Sequence, residues 1–219
     1  MKCILMDFDG TLTRRDSTRD LILAFLHERP WLLVPTIPLL RRMVFARTAE
    51  ALQTAKNRCL GRLSRGLPPA GMRRVLARFE AAVSDLLRPE LVDLLKNKDI
   101  PVVIVTASPD FAVRFLFQTH PVTVIGTRFK CQDEVHTGEI VSPPCYGQHK
   151  PFWINLWRAE QGEVRFVQAW SDSTTDMSMM MLAERRIWLC PRETVARDKL
   201  IESTDYFWPE VEPAQELMT

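Results

Sequence analysis

The chain has 219 residues, 46% of them hydrophobic, enough for one substantial core or a core with a modest insertion. A formal net charge of +2 gives no ground for a nucleic-acid partner, and the five scattered cysteines show neither a disulfide framework nor zinc-ligand spacing. Reduced thiols and a cytoplasmic location are expected, with no secretory leader and no spanning segment of roughly 20 apolar residues.

The first predicted element is a buried strand from Lys2 to Met6. Asp7 and Asp9 follow as it ends, and Gly10 marks a turn. Alternate side chains of an extended chain share a side, so the two carboxylates converge if the chain stays extended. Such a pair is costly unless one acid is protonated or a cation lies between them. One outcome is an acid beside an ionised nucleophile, and the other is a hard divalent metal on oxygen ligands. A solvated Asp-Gly turn is the plain alternative.

Residues from about Asp16 to Asn97 read as helices. Leu21, Ile22, Phe25 and Leu26 have helical spacing behind Ser17 or Thr18 as N-cap, and Pro30 stops them. Trp31 to Phe45 is an apolar segment interrupted by proline. Thr48 is placed as the cap of a third helix that ends near Gly61. Met72 to Leu87 is a long helix, and Pro89 opens a short one. Between Arg14 and Leu95 there are 15 Lys/Arg against 8 Asp/Glu. A basic cover of that kind suits an anionic substrate, although solvated helix faces account for many of these arginines.

From Ile100 the pattern changes to strand, helix, strand, hairpin, helix, strand, helix, strand. The strands read at Pro101–Val105, Val122–Ile125, Val164–Val167 and Ile187–Leu189, a hairpin is suggested within Thr127 to Val141, which alternates and contains Gly138, and the tail is polar. Together with the opening strand this predicts an α/β fold, a Rossmann-like, mostly parallel sheet flanked by helices, with an all-helical domain inserted after strand one. Residues 1–15 and 97–219 would form the core, and 16–96 the insertion. In such sheets ligands sit at the carboxyl ends of the strands. Asp7, Asp9, Thr106, Asp172 and Asp176 fall there, with Lys150 leading a helix near the same edge. Four carboxylates, a lysine and a hydroxyl are the equipment of a magnesium site beside a phosphate pocket.

Four segments in register carry a resemblance: Asp7-Phe8-Asp9-Gly10-Thr11, then Val102 to Thr106, then Lys150 after Cys145 to His149, then Trp170 to Asp176. The chain resembles the haloacid dehalogenase superfamily, in the helical-insert branch that includes phosphoserine phosphatase and phosphatidylglycerophosphate phosphatase. The resemblance implies a Mg²⁺-dependent phosphatase acting on a small or lipid phosphomonoester through an aspartyl-phosphate. Asp7 would be the nucleophile and Asp9 the general acid and base. Asp7, the Asp9 carbonyl and Asp172 would hold the metal, with Asp176 on a metal-bound water or orienting a neighbour. Thr106 and the Ala107 N–H would bind phosphate, with Ser108 a less favoured substitute for Thr106, and Lys150 would neutralise it. Asp16 stands where the phosphoserine enzymes carry a glutamate that contacts the substrate amine. It is one methylene shorter, and Thr175 stands where they usually have asparagine.

Two other functions are weighed: a phosphotransferase or mutase of the same fold, and a silent binding protein that uses the helical insertion as its surface. For Trp31 to Phe45 the favoured reading is insertion core packed on itself and on the catalytic domain. The other reading is a peripheral membrane contact through its apolar residues with Arg41, Arg42 and Arg47. The four histidines form no cluster.

Overall fold

The computed structural model describes residues 1–96 and 99–208. The expected boundary at residue 97 and the end of the polar tail lie outside them. β1 (Lys2–Met6) leads into a helical block: α1 (Thr18–Glu28), α2 (Leu33–Val44), α3 (Ala49–Ser64), α4 (Pro69–Val83) and α5 (Pro89–Leu94). There follow β2 (Val102–Pro109), α6 (Asp110–Leu116), β3 (Thr123–Thr127) and a hairpin of β4 (Phe129–Gln132) and β5 (Val135–Ile140). The chain then forms α7 (Lys150–Gln161), β6 (Arg165–Ser171), α8 (Met177–Met180), β7 (Arg185–Trp188), α9 (Arg192–Asp198) and β8 (Asp205–Phe207).

Six strands form one parallel sheet in the order β3-β2-β1-β6-β7-β8. β1 lies at its centre, with Leu5 in register with Val103 on one side and Ala169 on the other. The chain builds outward from β1 through β2 and β3, then returns to β1's other edge with β6. That reversal opens a crevice at the carboxyl ends of β1, β2 and β6. Alternation along β1 divides the core. Ile4 and Met6 join Phe8, Phe25, Phe79 and Val113 on one face, while Cys3 and Leu5 join Trp153, Ile154 and Met179 on the other.

The helical block leaves and rejoins the sheet through paired chain. Thr13 bridges Leu87 in antiparallel fashion, Arg14 N donates to Leu86 O and Arg88 N donates to Leu12 O, both at 2.8 Å. Ser17 holds the N-cap position of α1 without a side-chain bond, and Asp16 supplies the acceptor, its Oδ1 taking Thr18 N at 2.8 Å. Thr48 caps α3 by accepting from Ala51 N at 3.1 Å. α3 continues past Gly61 to Ser64. That glycine serves close packing, since a Cβ on it would lie 2.3 Å from the Gly138 carbonyl oxygen. The hairpin turns at Asp133 and Glu134, both at positive φ (50° and 63°) as a tight β-hairpin turn requires.

α2 departs from the expectation of a packed segment. Leu32, Leu39, Leu40 and Met43 rest against the core, but Trp31, Leu33, Val34, Ile37, Val44 and Phe45 are exposed. Beyond the expected last strand the structure adds α9 and β8. No described helix is long and apolar enough to cross a membrane.

Candidate active site

The site grows from three chain segments at the switch of strand order. β1 delivers Asp7, whose backbone N–H still donates to Trp170 O of β6 at 2.9 Å. The chain then leaves the sheet. Asp9 (φ −75°, ψ 123°) and Gly10 (φ 83°, ψ −21°) carry the dihedrals of a type II turn, whose third position needs positive φ. The alternation argument therefore does not describe how Asp9 reaches the site: a turn places it, not a continued strand. Gly10 also lies against Asp172, and a Cβ there would come 2.0 Å from Asp172 Oδ2. Thr11 adds a tie across the chain, its Oγ1 accepting from Asp172 N at 3.0 Å.

Lys150, the first residue of α7, is 1% exposed. Its Nζ donates to Asp7 Oδ1 and to Asp176 Oδ2, each at 2.7 Å. Ser171 Oγ donates to the same Asp176 oxygen at 2.8 Å, so Asp176 orients the lysine. An ammonium at a helix start is opposed by the macrodipole as well as by burial. Burial lowers the Lys150 pKa, but Asp176 and Asp7 outweigh it and leave the pKa raised.

The carboxylates answer in kind. Burial lifts Asp7 well above the usual range, Lys150 pulls it down, and Asp176 and Asp172 push it up again. Asp172 is raised to about 6, by burial first and then by Asp176. Asp9 is raised by burial and by Asp16, against hydrogen bonds from Ser108 Oγ to its Oδ2 (2.5 Å) and from Ser17 N to its Oδ1 (2.7 Å). Asp7, Asp176 and Asp172 thus share the field of buried Lys150, while Asp9 is set by Asp16, Ser108 and Ser17.

β2 supplies the other wall. Thr106 is buried, and its Oγ1 accepts from Ser108 N at 3.0 Å. The Ala107 carbonyl accepts from Thr127 Oγ1 at 2.8 Å and from Gln53 Nε2 of α3 at 3.3 Å, which ties the end of the strand to the helical block. Asp16 pairs through Oδ2 with Lys56 Nζ of α3 while its Oδ1 caps α1. Burial raises the Asp16 pKa, but Lys56 and Thr18 outweigh it and hold it below the usual value.

All eight residues singled out in the sequence (Asp7, Asp9, Asp16, Thr106, Ala107, Lys150, Asp172 and Asp176) line one cavity of about 460 Å³. Gln53, Lys56, Arg14, Arg15 and Arg88 line it as well. Sequence reasoning missed these, together with the roles of Ser108, Thr11 and Ser171. Ser171 and Ser108 adjoin residues already marked, a signal that was present. Lys56 and Gln53 sit mid-helix and carry no local signal. Among the described residues, no three His, Cys, Asp or Glu side chains converge as a metal-binding group.

The haloacid dehalogenase-like hydrolase family matches residues 4–181. Protein CicA of Caulobacter vibrioides (strain NA1000 / CB15N) is 31% identical over 194 residues, covering 84% of this chain and 83% of that protein. A protein of unknown function from Bordetella pertussis Tohama I superposes with a TM-score of 0.74 at 22% identity, covering 90% of this chain and 93% of that one. A phospho-aspartyl intermediate analogue of phosphoserine phosphatase superposes with a TM-score of 0.54 at 18% identity, covering 93% and 94%. At those identities the two structures share the fold with this chain.

Proposed function

Because the chain belongs to the haloacid dehalogenase-like hydrolase family, we propose that it is a magnesium-dependent phosphomonoesterase working through an aspartyl-phosphate. The observation that carries this reading is buried Lys150 held between Asp7 and Asp176 on the cavity that Thr106 also lines. It gives one point where an anionic nucleophile and an anionic substrate meet beside a fixed positive charge. The phospho-aspartyl analogue of a phosphatase of the same fold supports the covalent intermediate by analogy.

Asp7 attacks phosphorus, and the ester oxygen departs with the electron pair of its bond and takes a proton from Asp9. Asp9 then removes a proton from water, the water oxygen attacks phosphorus, and the bond to Asp7 breaks to give inorganic phosphate. Thr106 Oγ1 and the Ala107 N–H hold phosphate oxygens, and Lys150 neutralises the phosphate and Asp7. The donors suit a hard divalent cation, being oxygen ligands only. Asp7, Asp172 and the Asp9 carbonyl would hold magnesium, which supplies charge against repulsion between nucleophile and phosphate. Asp176 acts through Lys150.

The helical block, residues 16–96 in this reading, covers the site and selects the leaving group. Asp16 is occupied by Lys56 and by the start of α1, and Arg14, Arg15 and Arg88 share the cavity wall. That wall favours a small or lipid phosphomonoester whose leaving group is neutral or anionic over one presenting an ammonium. Phosphate release from p-nitrophenyl phosphate should require Mg²⁺ and stop with EDTA, and Asp7→Asn should abolish it. Substantial turnover by that variant would remove Asp7 as nucleophile.

A further inference from the structure

We propose that α2 and its flanks are a docking face for the surface of an anionic lipid bilayer. Val34, Ile37, Arg41 and Phe45 follow one another at helical spacing along one exposed side. Val34 is 73% exposed, Phe45 72% and Trp31, just ahead of the helix, 66%. Leu33 and Val44 extend the same apolar surface. The opposite side is already used, since Leu39, Leu40 and Met43 pack on the core and α2 lies along α3. The exposed residues are therefore not unfinished insertion core.

Charge selects the occupant. From residue 29 to residue 49 the chain carries Arg29, Arg41, Arg42 and Arg47 and no aspartate or glutamate. Arg41, Arg42 and Arg47 are exposed at the end of the same apolar strip. Apolar side chains that enter the acyl boundary beside arginines that meet lipid phosphates are the pattern of a helix lying in a membrane interface. A tryptophan at one end suits the headgroup level. A second copy of this chain fits less well, because a two-fold contact puts the same patch on both sides and residues 29–49 hold no aspartate or glutamate to meet the arginines. The face is one helix away from the site: α3, on which α2 packs, contributes Gln53 and Lys56 to the cavity.

Co-sedimentation of the full chain tests this, with phosphatidylcholine vesicles that contain or lack phosphatidylglycerol. The wild type should pellet with the anionic vesicles, remain in solution with the neutral ones, and be released by high salt. Arg41→Ala with Arg42→Ala should lower the partition coefficient about thirtyfold, the effect of removing two cations from an anionic surface. Val34→Ser with Ile37→Ser should also abolish pelleting. These side chains are exposed, so each variant should keep the wild-type melting temperature. The proposal is overturned if the wild type stays in the supernatant with anionic vesicles, if it binds neutral vesicles equally, or if both variants bind as the wild type does. A dimer seen by light scattering and lost in the Val34/Ile37 variant would overturn it in favour of a second copy. Vesicle binding is read without turnover, so it stands or falls separately from the phosphatase reading.

Discussion

Ser108 Oγ donates to Asp9 Oδ2 at 2.5 Å, and Ser17 N–H donates to the other oxygen of the same carboxylate at 2.7 Å. One donor belongs to the end of β2 and the other to the entry of α1. The proposed general acid is thereby held between the sheet and the helical block. Hydrogen bonds to charged groups contribute about 1.5–3 kcal/mol, so Ser108→Ala should lower kcat/KM by roughly ten- to a hundredfold. Steady-state assays on p-nitrophenyl phosphate, with a thermal melt to verify folding, provide the measurement. A wild-type rate would mean that Ser108 does not position Asp9.

Gly10 combines two demands. Its φ of 83° strains any residue with a Cβ, and a Cβ would come 2.0 Å from Asp172 Oδ2. The left-handed conformation alone costs about 1–2 kcal/mol. Gly10→Ala should lose at least that much stability in urea titrations. It should lose activity by about a hundredfold or more, because relief of the clash displaces Asp172 from the proposed metal site. An active variant of unchanged stability would refute the close approach.

Lys56 pairs with the Asp16 carboxylate and so competes with a substrate ammonium for it. Phosphoserine should therefore be a poorer substrate than phosphoglycerate, which replaces its ammonium with a hydroxyl. Lys56→Ala frees Asp16, and the kcat/KM ratio should move toward phosphoserine by about fivefold, the scale of a partly exposed ion pair. A ratio that does not move would deny Asp16 and Lys56 a part in selecting the leaving group.

A second charge network stabilises the far edge of the sheet. Asp205 of β8 accepts from Arg186 Nε at 2.8 Å and from the Trp188 indole at 2.9 Å, and Lys199 Nζ lies 2.8 Å from its other oxygen. Burial raises the Asp205 pKa, but Lys199, Trp188, the Glu202 N–H and Arg186 outweigh it and hold it at about 2, below the ordinary 3.8. A depressed carboxylate contributes stability above its unfolded pKa and loses it as pH falls through the folded one. The contribution is about 2 kcal/mol. Asp205→Asn should be less stable than wild type near neutrality. That difference should shrink between about pH 4 and pH 2. A gap independent of pH over that window would point to packing instead.

Local chemistry made much of this fold legible. A β-branched run, a proline at a helix start or a threonine before a helix acts over a few residues, so β1, β2, α3 and α4 could be read to within a few positions. The same holds for Asp7, Asp9, Thr106 and Asp172, each of which interrupts or ends an apolar pattern where a parallel sheet presents its carboxyl edge, and for Lys150, which leads a helix near that edge. β8, with three residues, is too short to show a period, and neither Asp205 nor Arg186 announces a partner 19 residues away.

By itself, then, the sequence determined an α/β sheet with a helical insertion and a set of acids and a lysine at one sheet edge, because alternation and turn chemistry are local. The tertiary structure alone decided that Lys150 reaches Asp7 across 143 residues, that Ser108 serves Asp9, and that Lys56 occupies Asp16. It also decided which side of α2 faces solvent. Pairing and burial depend on what the rest of the chain brings alongside, and spacing along one segment carries no record of its neighbours.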